Sequence, residues 1–159
     1  MKIEKLAGID IGSNAIRLLV ANVITENNNE PPSFKKSALV RVPIRLGADT
    51  FLKGSISEEN KNRMIKALEA FKLLMDVHGV QNYYACATSA MREAKNGKEV
   101  VNEIFEKTAV KINVIDGKKE AAIIFENNLE SNYNYIITVV ADEDLRIKRV
   151  MKRDEASKE

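Results

Sequence analysis

Asp10, Gly12, Ser13 and Asn14 stand where one apolar run, Leu6 to Ile11, gives way to another beginning at Ala15. A carboxylate, a glycine, a hydroxyl and an amide in that position have the chemistry to hold a metal-bound anion. Asp10 at the end of a strand can carry a hydrated divalent cation. Gly12 lets the backbone bend and approach a ligand, so that neighbouring N–H groups face an anion. The same residues suit an ordinary hairpin in which Asp, Ser and Asn only satisfy the turn. Spacing alone leaves both readings open. Farther along, Arg92 follows Thr88 and Ser89, and Glu120 follows Gly117. An arginine for phosphate oxygens and a carboxylate able to activate water, added to the first turn, are the parts needed for phosphoryl transfer to water.

The elements that must position these groups can be read in order. Leu6–Ile11 and Ala15–Val20 predict two antiparallel strands joined by a tight turn. Thr25 to Ser33, rich in Asn and Pro, is a flexible connection. Ala38–Val42 predicts a third strand, with Pro43 marking a strand end or an edge. Gly47 to Gly54 reads as a loop carrying exposed Asp49 and Phe51. Ser55 and Ser57 are alternative N-caps, with capping-box spacing from Ser55 to Glu58. Met64, Leu68, Phe71 and Met75 then form the stripe of a long amphipathic helix, flanked by Ala67 and Leu74 and closed by Gly79. Val80 to Ala87 is a short strand. The Thr88–Ser89 pair after it can cap the next turn, leaving Arg92 over the strand ends, where ligands sit in open α/β sheets. Val100, Val101, Ile104 and Phe105 make the apolar face of a second helix, Val110 to Ile115 a further strand, and Gly117 opens another helix with Glu120 in its first turn. The order βββαβαβα implies an α/β fold with a mixed sheet whose parallel section carries packed helices. The turns Asp10–Asn14, Thr88–Arg92 and Gly117–Glu120 are expected to converge on one end of it.

With 159 residues, 45% hydrophobic and 30% charged, the chain suits one soluble domain with a real core. A net charge of +2 asks for neither nucleic acid nor an anionic membrane as partner. No apolar run approaches a membrane span, and the N-terminus has no signal-peptide pattern. A single cysteine, Cys86, forms no internal disulfide and fits a cytoplasmic protein. Within its apolar strand it reads as a buried structural thiol. His78, before Gly79, is explained by a helix C-terminus.

Four segments resemble a known family. Ile9-Asp10-Ile11-Gly12-Ser13-Asn14, Arg45-Leu46-Gly47, Ala87-Thr88-Ser89-Ala90-Met91-Arg92-Glu93-Ala94-Lys95-Asn96 and Gly117-Lys118-Lys119-Glu120-Ala121 are similar to motifs of the exopolyphosphatase and guanosine pentaphosphate phosphatase (Ppx/GppA) hydrolases. These belong to the actin-like ATPase superfamily. Over about residues 3–126 the resemblance implies the first, ribonuclease H-like domain of a two-domain phosphatase. It implies that Asp10, Gly12, Ser13 and Asn14 line the first phosphate loop and that Asp10 holds Mg²⁺. It also implies that Arg92 grips a phosphate group and that Glu120 orients or deprotonates the attacking water. Lys119 stands where the family has a first glutamate. Polyphosphate or guanosine pentaphosphate are the implied substrates.

The family's second glycine-rich phosphate loop does not follow. Residues 127–159 instead resemble a segment of dephospho-coenzyme A kinase, with a strand at Tyr135–Ala141 and a helix from Asp142 to Asp154. That suggests a chimera joined near residue 126, the tail adding a β-α unit to the same sheet. Its Arg146, Arg149 and Arg153 suit either phosphate or a solvated helix face. The kinase's own phosphate loop is absent. Three functions follow: an exopolyphosphatase-like half-site, weakly active or inactive alone; a non-enzymatic recombinant whose property is folding, as a homodimer through the face a second domain would cover; and, last, a kinase-like fragment.

Overall fold

A computed structural model describes residues 1–26 and 33–117. Outside the described residues lie part of the Thr25–Ser33 connection, the body of the helix expected from Gly117, Lys119, Glu120, the join near residue 126 and the whole kinase-like tail. Among the described residues five strands make one sheet, in the order β3-β2-β1-β4-β5. β1 (Lys2–Ile11), β2 (Ala15–Thr25) and β3 (Ser33–Pro43) form an antiparallel meander. β4 (Asn82–Ala87) pairs parallel with β1, and β5 (Ile112–Val114) pairs parallel with β4. The sheet is therefore mixed, as the element order implied. β3 lies on its edge and Pro43 ends it, where a residue without an N–H costs no ladder bond.

One face of the sheet carries the main core. Ala7, Ile9 and Ile11 of β1, Ile16, Leu18 and Val20 of β2, and Ala85 and Ala87 of β4 alternate onto it. They meet Met64, Leu68, Phe71 and Met75 of α2 (Glu58–His78) and Val100 and Ile104 of α4 (Gly97–Thr108). The long stripe read from the sequence is this contact. Ser57 is the cap of α2, its hydroxyl accepting from Asn60 N at 3.3 Å, and Gly79 closes the helix in the left-handed region at φ 67°. Lys61, almost buried, joins α2 to α4 by reaching Glu58 at 2.7 Å and Glu103 at 2.5 Å. Those hydrogen bonds, Glu103 first, raise its pKa above the ordinary lysine value.

Four expectations need correction. Leu46–Lys53 is not a loop but a helix, α1, and Asp49 within it is buried although Phe51 is exposed. Gly47 and the short length hid that helix; its support comes from contacts distant in sequence. A second short helix, α3 (Ser89–Glu93), also interrupts the expected order. Thr88 precedes α3, yet its side chain makes no capping bond. Phe105 does not join the apolar face of α4: it is 52% exposed, while Val100 and Ile104 are buried.

Asp49 explains why α1 is fixed. Its carboxylate accepts from Ser57 N at 3.0 Å, Asn60 Nδ2 at 2.8 Å and the Ser57 hydroxyl, and Lys53 Nζ lies at 3.2 Å. The Ser57 hydroxyl does most to hold the carboxyl well below the usual carboxylate range, against the opposing effect of burial. The following loop is tied to the α3–α4 junction, where Asn96 exchanges two 2.9 Å bonds with the backbone of Ile56.

Candidate functional site

The parallel register aligns three strand ends. Ile11 lies opposite Ala87, and Ala87 opposite Val114, so the segments after β1, β4 and β5 leave the same end of the sheet. Two backbone bonds carry the ladder past the strands, from Thr88 N to Ile11 O at 3.2 Å and from Ile115 N to Ala87 O at 3.0 Å. The turn Gly12–Asn14 and the start of α3 then touch directly: the hydroxyls of Ser13 and Ser89 share a 3.2 Å hydrogen bond. Arg92 reaches the third segment, its Nη1 donating to Ile115 O at 2.8 Å. A side chain at Gly117 would begin 4.0 Å from Arg92 Nη2. Asp10, Ser13, Asn14 and Arg92 are thus gathered at one end of the sheet. Glu120 lies outside the described residues.

Asp10 alternates onto the face opposite the main core, with Cys86 its neighbour on β4 and Arg17 its partner on β2. It is 5% exposed, and Arg17 Nη1 stands 3.6 Å from its Oδ2. Burying a carboxylate at a strand end is costly unless cations or donors attend it. Arg17 is one such cation, and sequence spacing hid it because cross-strand opposition is visible only in the register. The contact of Ser89 with Ser13 was hidden for a similar reason, the two lying 76 residues apart. Cys86 is buried beside Ile115 and Tyr84, the structural environment expected for it.

The turn itself differs from the sequence reading in one respect. Among the described residues the glycines with positive φ are Gly54 and Gly79, so Gly12 is not forced by backbone conformation. A Cβ there would meet Ala15 O at 3.4 Å, an ordinary contact, and Gly12 N already donates to Ala15 O at 3.1 Å. The carbonyls of the turn point toward the start of α1. Ser13 O accepts from Gly47 N at 2.8 Å, and Asn14 O accepts from Ile44 N at 3.2 Å and Arg45 N at 2.9 Å. Each trans peptide sends its N–H opposite its C=O, so the N–H groups of Asn14 and Ala15 point away from α1.

Among the described residues no three of His, Cys, Asp and Glu cluster as a metal cage. Asp10 brings a hard carboxylate oxygen to this end of the sheet, the donor type that Mg²⁺ takes together with water and a ligand's phosphates. An open groove of about 380 Å³, lined by Asn82, Tyr83, Tyr84, Lys111 and Asn113, begins at the other end of β4 and takes no part in this arrangement. Among the described residues no helix is long and apolar enough to cross a membrane.

A family model described as the Ppx/GppA phosphatase family matches residues 32–142. The bifunctional 3-dehydroquinate synthase/phosphatase of Fusobacterium nucleatum is 37% identical over 128 residues, covering 79% of this chain and 19% of that protein. Exopolyphosphatase 1 of Mycobacterium tuberculosis is 28% identical over 121 residues, covering 76% and 34%. Among solved structures, the Aquifex aeolicus member of the Ppx/GppA family superposes with a TM-score of 0.69 at 27% identity, over 77% of this chain and 38% of that one. An exopolyphosphatase from Cytophaga hutchinsonii gives 0.70 at 28% identity, over 80% and 39%. The mixed sheet is the ribonuclease H-like, actin-like ATPase fold of those structures. The chain spans about a third of the length of the exopolyphosphatase relatives it matches.

Proposed function

Because this chain belongs to the Ppx/GppA phosphatase family, we propose that it forms the phosphate-binding half-site of a phosphoanhydride hydrolase acting on polyphosphate or guanosine pentaphosphate in the cytoplasm. The observation that carries the reading is the Ser13–Ser89 contact, which joins the β1–β2 turn to the α3 segment bearing Arg92. In this reading Gly12, Ser13 and Asn14 cradle one phosphate through hydroxyl and peptide donors. Arg92, oriented by its bond to Ile115 O, contacts the phosphate oxygens, where a guanidinium fork matches the anion's geometry. Asp10 would hold Mg²⁺, which when bound supplies charge neutralisation at the phosphate. Glu120, by family resemblance, orients or deprotonates the attacking water.

Residues 1–126 form the phosphatase-like unit in this proposal, with 127–159 packed on the same sheet. The family match runs to residue 142, past the suggested join, and supports the phosphatase reading into that segment. Alone, the chain is expected to bind Mg²⁺-phosphate weakly and to hydrolyse polyphosphate poorly, because positioning and water exclusion supply most of such catalysis. Calorimetric titration with tripolyphosphate, with and without Mg²⁺, tests this. Binding should need Mg²⁺ and weaken about tenfold or more in Arg92→Ala. Any phosphate release should disappear in Glu120→Gln. Equal heats in Arg92→Ala and the parent chain would remove the proposal.

A further inference from the structure

Helix α1 touches both halves of this end of the sheet, and nothing in the chemistry above uses it. At its start the chain turns sharply through Arg45, a non-glycine residue in the left-handed region at φ 62°, ψ 43°. Such a conformation persists only where its surroundings fix it, and it tends to mark functional places. Here it lets Ile44, Arg45 and Gly47 aim three backbone donors at the carbonyls of Ser13 and Asn14. One turn later, buried Thr50 donates through Oγ1 to Ala90 O of α3 at 3.0 Å. Ser89, adjacent to Ala90, closes the circuit to Ser13. The contacts form a ring: Gly47 to Ser13, Ser13 to Ser89, then Ala90 back to Thr50.

From this ring we infer that Gly47 and Thr50 are positioning residues for anion binding, setting the distance between the Ser13 turn and the Arg92-bearing helix. The inference rests on the phosphate reading for its consequence, though not for its geometry. Gly47 is buried, and a Cβ there would come within 3.1 Å of Ser13 Cβ and of Phe51 Cε2. The exposed Phe51 ring can rotate away. Ser13 Cβ belongs to a turn whose backbone is bonded on both sides, so it can yield only by moving the turn. Gly47→Ala should therefore displace Ser13 while its better helix propensity sustains α1. Thr50→Val keeps the shape and deletes the donor, leaving Ala90 O with only its 3.3 Å bond from Ala94 N.

The test uses the full chain, labelled with ¹⁵N, and Mg²⁺-tripolyphosphate as the probe. Thr50→Val should shift the amide resonances of Ser13, Asn14 and Ala15 without any ligand, and should weaken tripolyphosphate about tenfold. Thr50→Ser should restore both. Gly47→Ala should bind more weakly yet melt no lower than the parent, a combination that a purely structural role would not give. Unmoved Ser13–Ala15 resonances in Thr50→Val would overturn the inference whether or not the parent chain binds the probe. A parent chain that fails to bind, with those resonances shifted, would instead defeat the phosphate reading and leave the coupling through α1 standing.

Discussion

At the scale of single residues, burial chosen by long-range partners matters more than residue type. Asp49 sits on a stretch that looks like polar loop, and its partners Ser57 and Asn60 lie eight and eleven positions away. Nothing local marks it. Folding strengthens its acidity, so it stabilises the native state at pH above the ordinary value of 3.8, and this contribution fades as pH falls below that toward the lower folded value. Asp49→Asn should cost about 1–3 kcal/mol at neutral pH. It should also flatten the loss of stability below about pH 4; urea melts at several pH values would show this, and parallel curves for both proteins would refute it. Gly97 is constrained differently: a Cβ would stand 2.1 Å from Met91 O, a backbone atom. Gly97→Ala should therefore lose about 3 kcal/mol, the upper end of overpacking costs, measured by thermal unfolding. Asn96-Gly97 was legible as a break, but the close approach behind it was not.

Elements were legible in proportion to their periodicity. The apolar stripe of α2 spans many turns and gave its face, its cap region and its glycine stop. Phe71, which is 1% exposed at the centre of that stripe, should cost about 3–5 kcal/mol when replaced by alanine. A midpoint shift in urea that is much smaller would mean that α2 packs loosely on the sheet. The two short helices escaped notice because each takes its stability from tertiary bonds: α1 from Asp49 and Thr50, α3 from its contacts at the sheet end. Phe105 shows the opposite failure. It has the right chemistry for the apolar face of α4 and the wrong angle around the helix.

For the whole molecule, the convergence of the turns depends on one long-range pairing. β1 finds β2 through a neighbouring turn, but it pairs with β4 across a long separation, Leu6 opposite Asn82. Motif order marked the candidate turns; only parallel pairing puts the Gly12–Asn14 turn beside the start of α3. Closing so large a loop is slow relative to hairpin formation. The chain has no tryptophan and four tyrosines, of which Tyr83 and Tyr84 lie in β4, so with Tyr133 and Tyr135 replaced by phenylalanine tyrosine fluorescence should follow that step during refolding. Tripolyphosphate protection should appear in the same phase and not earlier. A nascent polypeptide leaving the ribosome could then pleat its first three strands before the proposed phosphate site exists. Recognition would switch on only when β4 has been synthesised and slots in beside the opening strand, so a truncated translation product would be shaped but mute.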